Sequence, residues 1–358
     1  MRVPLSWLAE VVPAAAAVPA EQILTDLARI GIEEEAVHGS GVTGPLVVGR
    51  VLEVSPEKQK NGKTINWCRV DVGPEHAPEG GGPRGIVCGA HNFGPGDLVV
   101  VALAGAVLPG GFTIASRKTY GHTSDGMICS EAELDLGGDH SGIIVLGERG
   151  ITVAPGTDAL ALLGLDEKTI EVNVTPDRGY GFSVRGIGRE YAHAIGAGYE
   201  DPAALEVPGP HGVTVPVQVL DDAPIHGTVG CDRFVTRVVR GIDPTASSPA
   251  WMQSRLTQAG MRPISLAVDV TNYVMLHLGQ PLHAYDLDTL APEGITVRRA
   301  RPGEKLITLD DVERPLHPED LLITDGEKPV AVAGVMGGVN SEVVDDTTSI
   351  LLESASFN

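Results

Sequence analysis

The sequence predicts a strand-rich α+β chain of several domains, and three observations carry that expectation. Its 358 residues exceed what a single hydrophobic core usually serves. Its apolar residues fall in short β-branched runs such as LVVGRVLEV, TINWCRVDV and DLVVVALAGAVL, separated by turn formers; 45 Gly and 26 Pro make up about a fifth of the chain. Aromatic residues are only 4%, so packing must lean on Val, Leu, Ile and Ala. With 42% hydrophobic residues and a mean hydropathy of +0.08, the chain reads as globular and soluble.

Charge and cysteine usage narrow the function classes. A formal net charge of -21 argues against wholesale electrostatic capture of nucleic acid, so any RNA contact must be local. Cys68, Cys88, Cys129 and Cys231 form no C-x-x-C pair, and nothing at the start resembles a signal peptide or a membrane span. Free thiols in a reducing, cytoplasmic setting, with no membrane partner, are the expectation.

Residues 1–39 open with MRVPLSWLAEVVP and a short helix over 20–30 stopped by Gly31. Residues 40–146 are strands and turns, as in a small barrel or sandwich. Within them, Arg117, Lys118 and Tyr120 form a compact basic and aromatic group that suits either a phosphate and a base or an ordinary exposed hairpin. Residues 152–200 return to a mixed pattern, a strand followed by a helix capped near Ser183. Their glycines at 179, 181, 186 and 188 do not space as a dinucleotide-binding turn. A linker over 201–212 leads to residues 213–358, where strands alternate with a helix at 248–259 and further strands, an α+β domain with a central sheet.

The stretch 266–286, LAVDVTNYVMLHLGQPLHAYD, reads as a helix with Leu266, Val270, Tyr273 and Val274 on one side and Ser265 as N-cap, stopped by Gly279 and Pro281. It leaves Thr271 and Asn272 polar among apolar residues and His283 just past the turn. From spacing alone, Thr271 and Asn272 bond locally to backbone and His283 packs.

The ordered match VDVTNYVMLHLGQPLHAYD resembles the editing domain of bacterial phenylalanyl-tRNA synthetase beta subunits. VPLSWL resembles their opening, and GIVCGAHNFGPGDLVVVALAGAVLPGG followed by Gly126-Met127-Ile128-Cys129-Ser130 resembles their inserted tRNA-binding OB-fold. The resemblance implies an N-terminal α/β domain of 1–39 plus 152–200, an OB-fold barrel at 40–151, and a B3/B4-type editing domain at 213–358, truncated at its C-terminal end. It implies hydrolysis of tyrosine wrongly esterified to phenylalanine tRNA. His283, Thr271 and Asn272 would orient water, ester or ribose; Glu353 and the amide of Gly334 would recognise the tyrosine hydroxyl.

A carboxylate suits that task, because phenylalanine would leave a buried acceptor unpaired whereas tyrosine satisfies it. Arg298, Arg299 and Arg301, with Arg233, Arg237 and Arg240, would guide the tRNA end or form a solvated strand face. His277, where the family often has Glu, reads as solvent-facing.

The implied partners are the alpha subunit, in an alpha2-beta2 tetramer, and tRNA(Phe). No cofactor is implied for the residues present, and ATP and magnesium are implied only for the complete holoenzyme. Two other readings stay open: a non-catalytic tRNA-binding or assembly module with an idle pocket, and a hydrolase using His283 with a metal.

Overall fold

A computed structural model of the chain describes residues 1–60, 62–137, 142–207, 209, 212–221, 224–326 and 328–358. The chain divides into two compact units, one of Met1–Ala36 with Ile170–Asn358 and one of Val37–Thr169. It crosses between them along the strands Glu33–Gly39 and Lys168–Asn173, which pair in a three-stranded sheet with Arg2–Pro4. Residues 151–169 thus lie with the inserted unit, where Ala159 and Leu165 are buried.

The inserted unit is an OB-fold-like barrel built on the strand Leu46–Lys58. That strand pairs antiparallel with Leu98–Ala102 through its first half and with Thr64–Asp71 through its second, a register shift between Val51 and Glu53 bending it between the two. Alternate residues then feed two cores: Leu46, Val48 and Val100 on one face, Val47, Val51 and Val101 on the other. Gly49 is required by packing, since a Cβ there would stand 2.6 Å from Val70 Cγ1. Arg117 and Lys118 sit on a hairpin with His122–Ser124, turned by Tyr120 and Gly121, both at positive φ.

In the other unit, the helices Leu5–Val11, Ala20–Arg29 and Val184–Ile195 close a core around Trp7, Ile23, Leu27 and Ile187. Ser183 caps the last of these, its hydroxyl accepting from the Gly186 N–H at 2.9 Å. The helices Ala250–Gln258 and Leu266–Leu278 contribute Met252, Leu256 and Leu276 to the same core. Gly279, at φ 82, ends the second of them by a hydrogen bond to the Met275 carbonyl. Ser265 holds the N-cap position, but its side chain makes no capping bond.

His277 overturns one expectation. It does not face solvent: its ring stacks on Trp7 and Tyr273, and Trp7 Nε1 donates to its Nδ1 at 2.8 Å. The helix turns this residue toward the N-terminal segment because its neighbours Leu276, buried, and Tyr273, partly buried, pack there.

Two sheets complete this unit. The strands Cys231–Arg240, Ser349–Phe357 and Leu282–Asp286 form an antiparallel sheet with Ser349–Phe357 in the centre. The strands Val217–Leu220, Ile295–Arg299, Leu321–Asp325, Lys328–Val332 and Met336–Gly337 form the second, parallel only at its first pair. Tyr285 and Leu351 from the first meet Ile295, Val297, Ile323 and Val330 from the second in one core. Of the expected 201–212 linker, residues 208, 210 and 211 lie outside the described residues.

Candidate functional site

Antiparallel register brings the chemistry together. His283 stands directly opposite Glu353, and Tyr285 opposite Leu351. Side chains alternate along a strand, so His283, Tyr285 and Glu353 share one face of the sheet, the face turned toward the second sheet. There they line an open cavity of about 500 Å³, bounded on the far side by the turn from Gly334 to Gly337 and by Phe357.

Glu353 is the unusual group. Only 6% exposed, it accepts a hydrogen bond from the phenol of Tyr285, itself 0% exposed. Burial pushes its carboxyl up to about 7, against the opposing pull of the Tyr285 hydrogen bond. Burial likewise raises the Tyr285 phenol far above its ordinary value, helped by the Glu353 charge. It pushes the His283 imidazole down, favouring the neutral ring.

His283 meets the Tyr285 ring edge-on, centroids 4.5 Å apart. Its imidazole also presses on the backbone of Gly337, where a Cβ would lie 2.7 Å from Nε2. Gly334 adopts φ 69, a left-handed conformation suited to glycine, and lines the cavity; its N–H makes no hydrogen bond to the protein among the described residues.

The other sequence candidates lie elsewhere. Thr271 and Asn272 sit on the helix Leu266–Leu278 and are not part of the cavity wall; Thr271 is buried, its hydroxyl donating to the Val268 carbonyl at 2.8 Å. Arg298 and Arg299 are engaged by carboxylates. Arg298 donates to Glu304 at 2.9 and 2.7 Å, Arg299 to Asp221 at 2.8 Å twice. Arg301 is exposed, as are Arg117 and Lys118, Arg117 lying over the Phe112 ring. Arg233, Arg237 and Arg240 lie on the strand Cys231–Arg240 and are exposed.

Tyr285 is the residue that sequence reasoning missed. The signal was present: it follows His283 by two positions in a strand, which places both on one face. Among the described residues, no group of three His, Cys, Asp or Glu is arranged to hold a metal ion; Asp286, nearest to His283 in sequence, accepts instead from the Thr347 hydroxyl at 2.6 Å.

All four cysteines are buried and unpaired, and no helix among the described residues is long and apolar enough to cross a membrane.

Comparison with known proteins bears on both units. Residues 230–358 match the family described as "B3/4 domain", and residues 46–155 that described as "Putative tRNA binding domain". The phenylalanine–tRNA ligase beta subunit of Leifsonia xyli subsp. xyli is 56% identical over 367 residues, covering 100% of this chain and 43% of that protein. Those of Bifidobacterium longum and Thermobifida fusca are 53% and 52% identical, the matches covering 99% and 100% of this chain and 44% and 42% of theirs. The chain therefore spans less than half the length of these relatives. Among solved structures, an N-terminal fragment of the phenylalanyl-tRNA synthetase beta-subunit from Pyrococcus horikoshii matches 54% of this chain and 56% of its own at 14% identity. Its TM-score of 0.31 is too weak a likeness to bear on the fold.

Proposed function

Because this chain belongs with the phenylalanine–tRNA ligase beta subunits, we propose that it hydrolyses tyrosine wrongly esterified to tRNA(Phe), at the cavity between its two sheets. The observation that carries the reading is a buried carboxylate, Glu353, set opposite a neutral imidazole, His283, in a cavity that Gly334 also lines.

The phenol of a bound tyrosyl group donates to Glu353 and accepts from the Gly334 N–H. A phenylalanyl group leaves the buried Glu353 carboxylate without that donor, a difference worth about 1–3 kcal/mol. Hydrolysis itself needs only a positioned water: its oxygen bonds the ester carbonyl carbon, and the ribose oxygen leaves with a proton. His283, its imidazole held toward the neutral form by partial burial, accepts a hydrogen bond from that water and holds it in place. Thr271 and Asn272 are given no step, since they do not line the cavity. No step is routed through a metal, since among the described residues no group of three His, Cys, Asp or Glu is arranged as ligands.

For the complete protein we propose the remaining family properties: ATP- and magnesium-dependent aminoacylation together with an alpha subunit in an alpha2-beta2 tetramer, tRNA contact aided by the inserted barrel, and a cytoplasmic setting. Comparing the hydrolysis of Tyr-tRNA(Phe) and Phe-tRNA(Phe) by the complete enzyme tests the editing reading. An idle pocket, serving only tRNA binding or assembly, would hydrolyse neither.

A further inference from the structure

Resting on the tyrosine-ester reading, we propose that Tyr285 is a positioning residue of this site: its phenol holds one carboxylate oxygen of Glu353 and leaves the other to accept the phenol of the substrate. The cavity already contains the chemical pairing that the substrate would make, a phenol hydroxyl donated to a carboxylate, with Tyr285 donating to Oε2 of Glu353. Oε1 has no partner in the chain among the described residues, while Glu353 as a whole lines the cavity.

The geometry gives this bond its effect. Tyr285 is fully buried in the core between the sheets, packed with Leu351 and Ile323, so its ring cannot follow a moving carboxylate. Glu353 is on the central strand, opposite His283 on one side and Thr236 on the other. A long side chain at such a position has several rotamers, and an internal donor selects one. The titratable groups around the carboxylate are His283 and Tyr285 from the neighbouring strand on one side and Cys231 from that on the other, whose thiol is raised by burial and then by the charges of Asp232 and Glu353. None of them is a cation at neutral pH. The Tyr285 hydrogen bond therefore opposes burial and favours the ionised, proton-accepting carboxylate.

The test is Tyr285→Phe in the complete enzyme, full-length subunit with its partner, which removes the hydroxyl and keeps the ring. Deacylation of Tyr-tRNA(Phe) and Phe-tRNA(Phe) is followed from pH 6 to 9. The expected result is a roughly tenfold fall in the ratio of the two kcat/KM values, a weaker KM for the tyrosyl ester, and an upward shift in the pH midpoint of its hydrolysis. In a Glu353→Gln background the same substitution should do little more, because the group it positions is gone.

An unchanged ratio and pH profile would overturn the inference. So would a loss shared equally by both esters, or one undiminished in the Glu353→Gln background, since either marks a structural role. A parent enzyme with no preference for the tyrosyl ester would defeat the underlying reading instead.

Discussion

His283 and Glu353 face one another across adjacent antiparallel strands, seventy residues apart in sequence and directly opposite in register. A neutral base and a raised carboxyl thus share one cavity wall. In the proposed reaction they take separate tasks, one toward water and one toward the amino-acid side chain.

Glu353 imposes a pH dependence on stability. Its pKa rises on folding from the ordinary 4.5 to about 7, so folding favours the protonated form. The stability this contributes is complete below pH 4.5 and is lost as pH rises through 7. Glu353→Gln, a neutral isostere, should match the parent near pH 4.5 and exceed it at pH 8 by on the order of 3 kcal/mol. Urea denaturation at both pH values measures this, and a difference that does not change with pH would refute it.

Gly337→Ala should disable His283 without unfolding the sheet. The new Cβ would stand 2.7 Å from the imidazole, so the ring must swing away. Tyrosyl-ester hydrolysis should fall tenfold or more, with a stability cost of about 1–2 kcal/mol. Full activity in this variant would remove His283 from the water-positioning role.

The aromatic stack of Trp7, Tyr273 and His277 predicts the opposite pattern. His277→Ala removes two ring contacts and the acceptor for Trp7 Nε1. Stability should drop by about 1–3 kcal/mol while the preference for the tyrosyl ester persists. Thermal unfolding alongside the deacylation ratio distinguishes this from a role in the site.

Arg299 serves as a structural cation. Its partner Asp221 has a side chain only 1% exposed, and both carboxylate oxygens accept from the guanidinium. Arg299→Ala leaves that buried charge without its cation, though the Gly230 N–H still donates to it, and should destabilise the chain by about 2–3 kcal/mol. If stability were instead unaltered and tRNA affinity reduced, the guanidinium would belong to the nucleic-acid surface.

Much of this was legible in the sequence, for identifiable reasons. Period-two runs of Val and Leu mark the barrel strands, and Gly279 with Pro281 marks the end of the helix Leu266–Leu278. Convergence of His283, Gly334 and Glu353 came from family resemblance, because strand register over seventy residues leaves no local pattern. Thr271 illustrates the limit. Spacing alone assigned its hydroxyl to the backbone, and the Val268 carbonyl does accept it. His277 was misplaced because a polar residue in an amphipathic helix gives no sign of an aromatic partner, Trp7, 270 residues away.

The central claim is that this cavity distinguishes an ester by one phenol. The most direct measurement is the rate of deacylation of Tyr-tRNA(Phe) and Phe-tRNA(Phe) by the complete enzyme and by its Glu353→Ala variant. The parent should hydrolyse the tyrosyl ester at least tenfold faster, and the variant should lose that preference. Equal rates for the two esters in the parent would contradict the account.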